Sequence, residues 1–452
     1  MAEYERIAAV SRFPGSIDVW WVQKDGSIQG AKWEDGVQSG EGEQWFIYEL
    51  APAGSAYHIT ALSRHRNTVD VWWIGEDGSV QGARLNEGEQ RQRYELAPAG
   101  SAYRWGGITS VSKIPGSMDV FWVGTNGTVQ GATWLNGYNW NKYPVAPEQS
   151  AYGKLTAVSR TPGSVDVFWI GQKKVKGARS EEDRLWKRYE IGSVESTNGS
   201  IKAVSTDPWS MEVFWHVQFD RGLGNPMDHS IFRAKWEEDQ WQTSVAVSYG
   251  EGVHSNTGIA ALSRFTGSKD LIWISKKRSV MRTVRGAVEQ YTISPPGSAW
   301  ENLTAVTRFP GSLDVMWVAY EGSVHGASWV EGEEWKYFDI APPPPPPPPP
   351  LPTGQQRIDV ILESMEGRVE PNRLAISGLG FQANESIKVI FTVYVNNKKV
   401  KVDTLNTQSD TAGTFFIKQE VQCNLGESTI FEVKSFGSTS GSSNKLTVSC
   451  QQ

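Results

Sequence analysis

Cysteine is nearly absent: the 452 residues contain two, Cys423 and Cys450, both near the C-terminal end. A disulfide-stapled scaffold is thereby excluded, leaving either one intradomain bridge or two reduced thiols. The six histidines, His58, His65, His216, His229, His254 and His325, show no ligand spacing, so no metal site is expected. No HExxH, GxSxG or Walker-type loop is present, which removes the usual routes to an enzyme, and no cofactor is implied. The formal net charge of -6 comes without a dense Lys/Arg stripe, which argues against a nucleic-acid partner. No apolar run approaches a membrane span, and the start Met1-Ala2-Glu3-Tyr4-Glu5 is acidic rather than leader-like. The expectation is a soluble chain, cytoplasmic or secreted without a leader. Tryptophan is missing beyond residue 341, although 21 occur before it, so composition divides the chain.

What fills the first part is a repeat. Ser16-Ile17-Asp18-Val19-Trp20-Trp21-Val22 recurs in altered form around Asp70, Asp119, Asp166, Glu212, Asp270 and Asp314. Units begin near Ile7, Ile59, Ile108, Leu155, Ile201, Ile259 and Leu303, at spacings of 44 to 58 residues. In the first unit, strand-like runs cover Ile7 to Arg12, Ile17 to Gln23, Ser27 to Trp33 and Gln44 to Leu50, separated by Pro14-Gly15-Ser16, Lys24-Asp25-Gly26 and a polar Gly/Glu stretch. One antiparallel four-stranded sheet per unit is the blade of a β-propeller. The fold class is therefore all-β: a seven-bladed β-propeller of four-stranded antiparallel blades over residues 1–341.

A position filled in every copy serves the blade before it serves a ligand. The second tryptophan of the motif (Trp21, Trp73, Trp122, Trp169, Trp215, Trp273, Trp317) is such a position and reads as core. The acidic residue is as persistent and reads as a buried acid satisfying a neighbouring turn, since seven equivalent catalytic carboxylates are implausible.

Nine prolines, Pro342 to Pro350, precede Leu351-Pro352. As polyproline II, rising about 3.1 Å per residue, residues 342–352 make a stiff spacer of roughly 30 Å; a proline-reading domain would be the alternative user. Residues 353–452 read as short strands at Ile358 to Leu362, Arg373 to Ser377, Ser386 to Val395, Thr414 to Glu420, Ser428 to Ser435 and Lys445 to Ser449, which predicts a C-terminal immunoglobulin-like β-sandwich. Pro371 to Phe381 and Asp410 to Phe415 resemble Ig-like accessory domains of surface or secreted proteins.

The copies differ in their polar and aromatic residues. An Arg follows the first strand at Arg12, Arg64, Arg160, Arg264 and Arg308, replaced by Lys113 and Thr206. Tryptophans mark the third strand at Trp33, Trp134, Trp236 and Trp329, and precede the fourth at Trp45, Trp140, Trp186, Trp241 and Trp335. Connections carry Tyr57, Tyr103, Tyr152 and Trp300. Sugar C–H faces stack on such rings, while hydroxyls need partners such as Arg12, Arg64, Gln29, Gln81 and Gln130.

Ile17 to Gln23, Ile28-Gln29-Gly30-Ala31 and the following Trp45 are similar in layout to blades of the fungal fucose-specific lectins, a likeness spanning residues 7–341. The resemblance implies a β-propeller lectin. That family holds fucose with an Arg beginning the second strand and a Glu on the third; Asp18 and Gly30 stand at those places here, so contacts are expected from inter-blade groups combining an Arg, a Trp and a loop Tyr. The leading expectation is a multivalent, non-enzymatic carbohydrate-binding protein whose partners are glycans. Its candidate sugar contacts are Arg12, Gln29, Trp33, Trp45, Tyr57, Arg64, Gln81, Tyr103, Gln130, Trp134, Trp140 and Tyr152. A protein-interaction scaffold is the alternative, docking through the insertion at Phe219 to His229 and the basic run Lys276, Lys277, Arg278, Arg282 and Arg285. A propeller glycosidase or lyase would need an unrepeated acid pair, for which Asp220 and Asp228 are the candidates.

Overall fold

The computed structural model describes the chain apart from residues 1–5, 35–44, 87–90, 136–138, 182–184, 194–198, 220–227, 238–239, 249–251, 255–257, 285–289, 301, 345–356, 364–371, 383, 397, 411–412, 422–428, 439–440 and 450–452. Two compact units result, Met1–Pro344 and Pro345–Gln452. Most of the proline run, both cysteines, Asp220 and Arg285 lie outside the described residues, as does the side chain of Asp228.

The first unit contains seven four-stranded antiparallel sheets, each formed by four consecutive strands in simple order. In the first sheet they are Ile7–Val10, Ser16–Val22, Ile28–Glu34 and Phe46–Ala51, close to the bounds the alternation and turn residues predict. Inner strands pack on the inner strands of the sheets before and after, and the first meets the last, so the sheets close into the ring of a β-propeller. Among the described residues, the first and last sheets are each built from their own four consecutive strands. Sheet one seals against sheet seven through Ile17, Val19, Trp21 and Ala31 packed on Met316, Val324 and Ile340.

Alternation along the second strand explains why all seven residues of Ser16–Val22 are buried. Val19 and Trp21 face sheet seven, whereas Trp20 and Val22 join Ile59, Val71 and Trp73 of sheet two. The next sheet repeats the arrangement: Trp72 and Ile74 join Met118, Val120 and Trp122 of sheet three. The persistent second tryptophan is core, as expected, and in three repeats its indole also holds a connection: Trp169, Trp273 and Trp317 donate to the carbonyls of Ser150, Gly252 and Ser298 at 3.0, 2.7 and 3.1 Å.

The connections that follow sheets one, two, three and six fold back on the hairpin between the second and third strands. Gly54 and Ser55 donate to the carbonyls of Asp25 and Gly26 at 2.8 and 3.0 Å, and Gly100 and Ala102 to those of Asp77 and Gly78 at 2.9 and 2.8 Å. The left-handed turn residue, Gly26 at φ 81° and Gly78 at φ 76°, makes this approach possible. The Pro-Ala-Gly-Ser-Ala-Tyr segments are thus locks for the hairpins they follow.

The second unit holds a three-stranded sheet, Arg357–Glu363, Asn372–Leu379 and Phe415–Val421, and a four-stranded sheet ordered Lys398–Gln408, Ser386–Val395, Thr429–Gly437, Gly441–Ser449. Ile358, Leu374 and Ile376 of the first share one core with Val389, Phe391, Phe431 and Val433 of the second. The strand Lys398–Gln408 is the one not read from sequence; its Lys-, Asp- and Asn-rich run is an exposed edge, where burial leaves little hydrophobic pattern.

Candidate ligand grooves between neighbouring sheets

The acid of the repeated motif is bonded to a cation six residues upstream, rather than to a turn. Nε of Arg12, Arg64, Arg160, Arg264 and Arg308 donates to Asp18, Asp70, Asp166, Asp270 and Asp314 at 2.6, 2.8, 3.1, 2.7 and 2.8 Å. Lys113 lies 3.5 Å from Asp119, and in the fifth repeat Glu212 receives Lys269 of the next sheet. The turn is satisfied by the motif's serine: Ser16 Oγ accepts from the amides of Arg12 and Phe13 and donates to the Phe13 carbonyl. These arginines are buried partners and not surface pairs. Burial pushes Asp18 and Asp166 above the ordinary carboxylate range against the pull of their arginines.

Cross-strand register puts each pair on the face that meets the next sheet, because Asp18 stands opposite Lys32 and Trp20 opposite Gly30. The following sheet contributes an indole. Arg64 and Arg84 both lie 4.8 Å from the ring of Trp134; Arg264 and Arg282 lie 4.9 and 4.4 Å from Trp329; Arg308 lies 5.2 Å from Trp33. A groove therefore takes its ion pair from one repeat and its tryptophan from the next.

Two grooves are roomy. Between sheets seven and one, about 380 Å³ is lined by Arg308, Asp314, Ser328, Trp33, Trp45 and Phe338 among others. Trp45 stacks on Phe338 at 5.6 Å, and Arg308 also donates to Ser328 Oγ at 2.8 Å. Between sheets three and four, about 480 Å³ is bounded by Lys113, Asp119, Thr133, Asn139, Tyr143 and Trp186 among others. There Trp186 stacks on Tyr143 at 6.2 Å, and Tyr143 Oη lies 2.7 Å from Thr133 Oγ1. Between sheets five and six, a groove of about 270 Å³ has Thr206, Asp207, Ser210, Glu212, Lys235 and Lys269 in its lining and no tryptophan. Between sheets one and two, Leu85 and Arg91 hold the tryptophan positions, and Arg91 lies 4.1 Å from the ring of Tyr48.

Of the residues singled out in the sequence, Arg12, Arg64, Trp33, Trp45, Trp134 and Trp140 lie on this rim. Trp140 packs edge-on against Trp72 at 6.1 Å. Gln29, Gln81 and Gln130 begin the third strand at a recurrent bulge, on the opposite rim. Gln81 and Gln130 donate to the neighbouring Ser79 and Thr128 at 3.0 and 2.9 Å. Tyr57, Tyr103 and Tyr152 belong to that rim too, since their amides bond Ile74, Val123 and Ile170 at the far ends of second strands. Tyr57 Oη accepts from Arg104 at 2.9 Å. The structure thus joins Arg with Trp and leaves the loop tyrosines apart from them. Within the basic run of repeat six, Arg282 is buried on Asp270 at 2.6 Å and Arg278 lies 3.3 Å from the Trp300 ring.

Sequence reading did not identify Arg84, Thr133, Asn139 or Phe338. Arg84 was within reach, because alternation sets it opposite Asp70; the pairing of one repeat's arginine with the next repeat's indole is tertiary and leaves no local signal. The glycine in place of the family's third-strand glutamate also acquires a cause. A Cβ on Gly30 would sit 2.6 Å from the Tyr48 ring, whose hydroxyl accepts from Trp20 Nε1 at 3.0 Å. Tyrosine fills that space. Among the described residues, no group of three or more His, Cys, Asp or Glu is placed to hold a metal ion.

No protein-family model matches the sequence, and no curated protein matches it either. Solved structures do match. The BP39L lectin from Burkholderia pseudomallei superposes with TM-score 0.64 at 19% identity over 75% of this chain and 100% of that chain. AofleA from Arthrobotrys oligospora gives 0.48 at 15% identity over 75% and 87% of the two chains. The lectin of Aleuria aurantia, a six-bladed β-propeller with fucose recognition, gives 0.44 at 14% identity over 76% and 99%. The first of these establishes likeness of fold: the chain resembles a β-propeller of lectin type.

Proposed function

We propose that the chain is a multivalent carbohydrate-binding protein, a seven-bladed propeller lectin whose sugars lie in the grooves between neighbouring sheets. One observation carries this reading: an ion pair from one repeat meets a tryptophan from the next, so a ring face and charged hydrogen-bonding groups share one groove. Sugars need that combination, with C–H faces stacking on the indole and hydroxyls bonding guanidinium and carboxylate. The grooves formed by Arg308, Asp314, Trp33 and Trp45, and by Lys113, Asp119, Thr133 and Trp186, are the strongest candidates because they combine those groups with room for a monosaccharide. Those formed by Arg64, Asp70 and Trp134 and by Arg264, Asp270 and Trp329 are tighter variants. Several weak sites on one ring gain affinity for a glycan-coated surface through avidity. Arg12, Gln29, Gln81, Gln130, Tyr57, Tyr103 and Tyr152 are secondary in this reading, as they lie on the other rim or in a groove without tryptophan. The function needs no catalytic step.

The second unit is read as an immunoglobulin-like accessory sandwich, supported by its 3 + 4 strand order and shared core, and residues 342–352 as a stiff proline spacer. A broad glycan array tests the function. Full-length protein should bind a defined sugar set, Trp33→Ala combined with Trp186→Ala should weaken binding at least tenfold with the circular dichroism spectrum retained, and Tyr57→Phe should bind as wild type. Silence across the array, with no agglutination of any cell type, would overturn it.

A further inference from the structure

The fifth repeat breaks the pairing that the other six keep. Where they carry a cation six residues upstream of the acid (an arginine in five of them, Lys113 in the third), it has Thr206, and the aspartate is replaced by the longer Glu212. Thr206 uses its hydroxyl on the local turn, since Oγ1 donates to Asp207 Oδ2 at 3.2 Å and lies 2.6 Å from Ser210 Oγ. It gives nothing to Glu212. The shorter side chain borders the groove of about 270 Å³ between sheets five and six, whose lining includes Thr206, Asp207, Ser210, Glu212, Lys235 and Lys269.

Glu212 is 4% exposed, and its two oxygens differ in their surroundings. Oε1 accepts from the ammonium of Lys269, on the next sheet. Oε2 is buried and has no hydrogen-bond partner among the described residues; Arg233 Nη1 stands 4.0 Å from it. Arg233 is held off by Ser244, to whose Oγ its Nε and Nη2 donate at 3.2 and 3.1 Å. Lys235 lies opposite Glu212 in register, yet its ammonium bonds Glu237. Asp207 is occupied by its own turn: Oδ1 accepts from the amides of Trp209 and Ser210 at 2.9 Å each, and Oδ2 from Ser210 Oγ at 2.7 Å. Those bonds, the Ser210 hydroxyl's first, hold its carboxyl below the ordinary carboxylate range, so it adds negative charge to the groove.

A buried carboxylate oxygen without a donor is costly, and a cationic donor relieves that cost best. Elsewhere in the ring one carboxylate takes two cations: Asp70 pairs with Arg64 and Arg84, and Asp270 with Arg264 and Arg282. Glu212 bonds one, Lys269. We propose that the groove between sheets five and six binds a small organic cation, whose guanidinium or primary ammonium donates to Glu212 Oε2 at the place an arginine serves in five other repeats. No tryptophan lines this groove, so the proposal does not depend on the sugar grooves. The cation is either an amino sugar or a non-sugar amine or guanidine, and the two sources share the contact with Glu212.

Calorimetric titration of the full chain tests the site with two cations, propylguanidinium and glucosamine, each beside its neutral counterpart, propylurea and glucose, at equal ionic strength. Propylguanidinium reproduces the end of an arginine side chain. Thr206→Arg supplies the cation from within the chain, and arginine already holds the equivalent position in five repeats. Glu212→Gln removes the accepting charge; if it fails to fold, Thr206→Arg still decides the outcome. One site per chain is expected, with at least one cation bound tenfold or more above its neutral counterpart. That affinity should fall at least tenfold in both variants, with the circular dichroism spectrum of Thr206→Arg unchanged. Glucosamine binding that exceeds glucose and is lost in Thr206→Arg identifies an amino sugar; binding of propylguanidinium alone identifies a non-sugar cation. If neither cation exceeds its neutral counterpart, or if binding persists undiminished in Thr206→Arg, the proposal is overturned.

Discussion

At the scale of single residues, the cations and acids of the repeat act in pairs, and where a partner changes the geometry adapts around the acid. Asp270 accepts from Arg264 at 2.7 Å and Arg282 at 2.6 Å, the second guanidinium arising from the third-strand position that is glycine in the first four repeats. His216 and His254 behave differently, because burial disfavours their charged forms. His216 and His229 face each other at 3.1 Å between Nε2 and Nδ1, on the lengthened hairpin of repeat five. Burial, with the neighbouring histidines, lowers His216 to about 3; burial, then Arg278, lowers His254 to about 4. Their folded values lie below the unfolded value near 6.5, so the unfolded chain takes up protons first as pH falls. Stability should be full above pH 6.5 and decline steadily toward pH 4. Urea midpoints measured across that window should show this slope, and His216→Gln should flatten it; an unchanged slope would contradict the assignment.

At the scale of the element, the third strand is shaped by its outer neighbour. Gly82 lies under the ring of Tyr94, whose Cζ would be 2.6 Å from a Cβ, and Tyr94 Oη accepts from Trp72 Nε1 at 2.8 Å. Gly82→Ala should cost about 1–3 kcal/mol by forcing the ring aside. The cost should shrink in a Tyr94→Ala background, which a double-mutant cycle by denaturant unfolding would measure. The strands themselves were legible in the sequence, since Ile17, Val19 and Trp21 alternate with Asp18, Trp20 and Val22 and the turns carry Gly and Pro at fixed places. The site was legible only by halves. Arg308 and Trp33 each stand out in their own repeats, yet what joins them is ring closure between positions 275 apart in the sequence. Tyr57 misled for the same reason: it is near Arg64 in sequence, while the strand between them carries it to the other rim.

At the scale of the whole molecule, two units hold separate cores, one distributed between the sheets of the ring and the other shared by the two C-terminal sheets. Scanning calorimetry of the full chain should show two transitions, and residues 1–344 expressed alone should retain one of them at the same temperature. A single transition lost on truncation would show that the cores unfold together. Within the ring, every junction borrows from both neighbours, and the seam between sheets seven and one is built like the rest. Excising one repeat, or inserting a copy, would therefore bring two severed halves together in a new junction, with an indole wherever the incoming sheet carries one; sheet two, with Leu85 and Arg91 at those positions, does not. Recombination between repeats would reshuffle those halves into combinations not yet present, so a chain of this design can vary its grooves by rearranging whole segments without altering a single codon inside them.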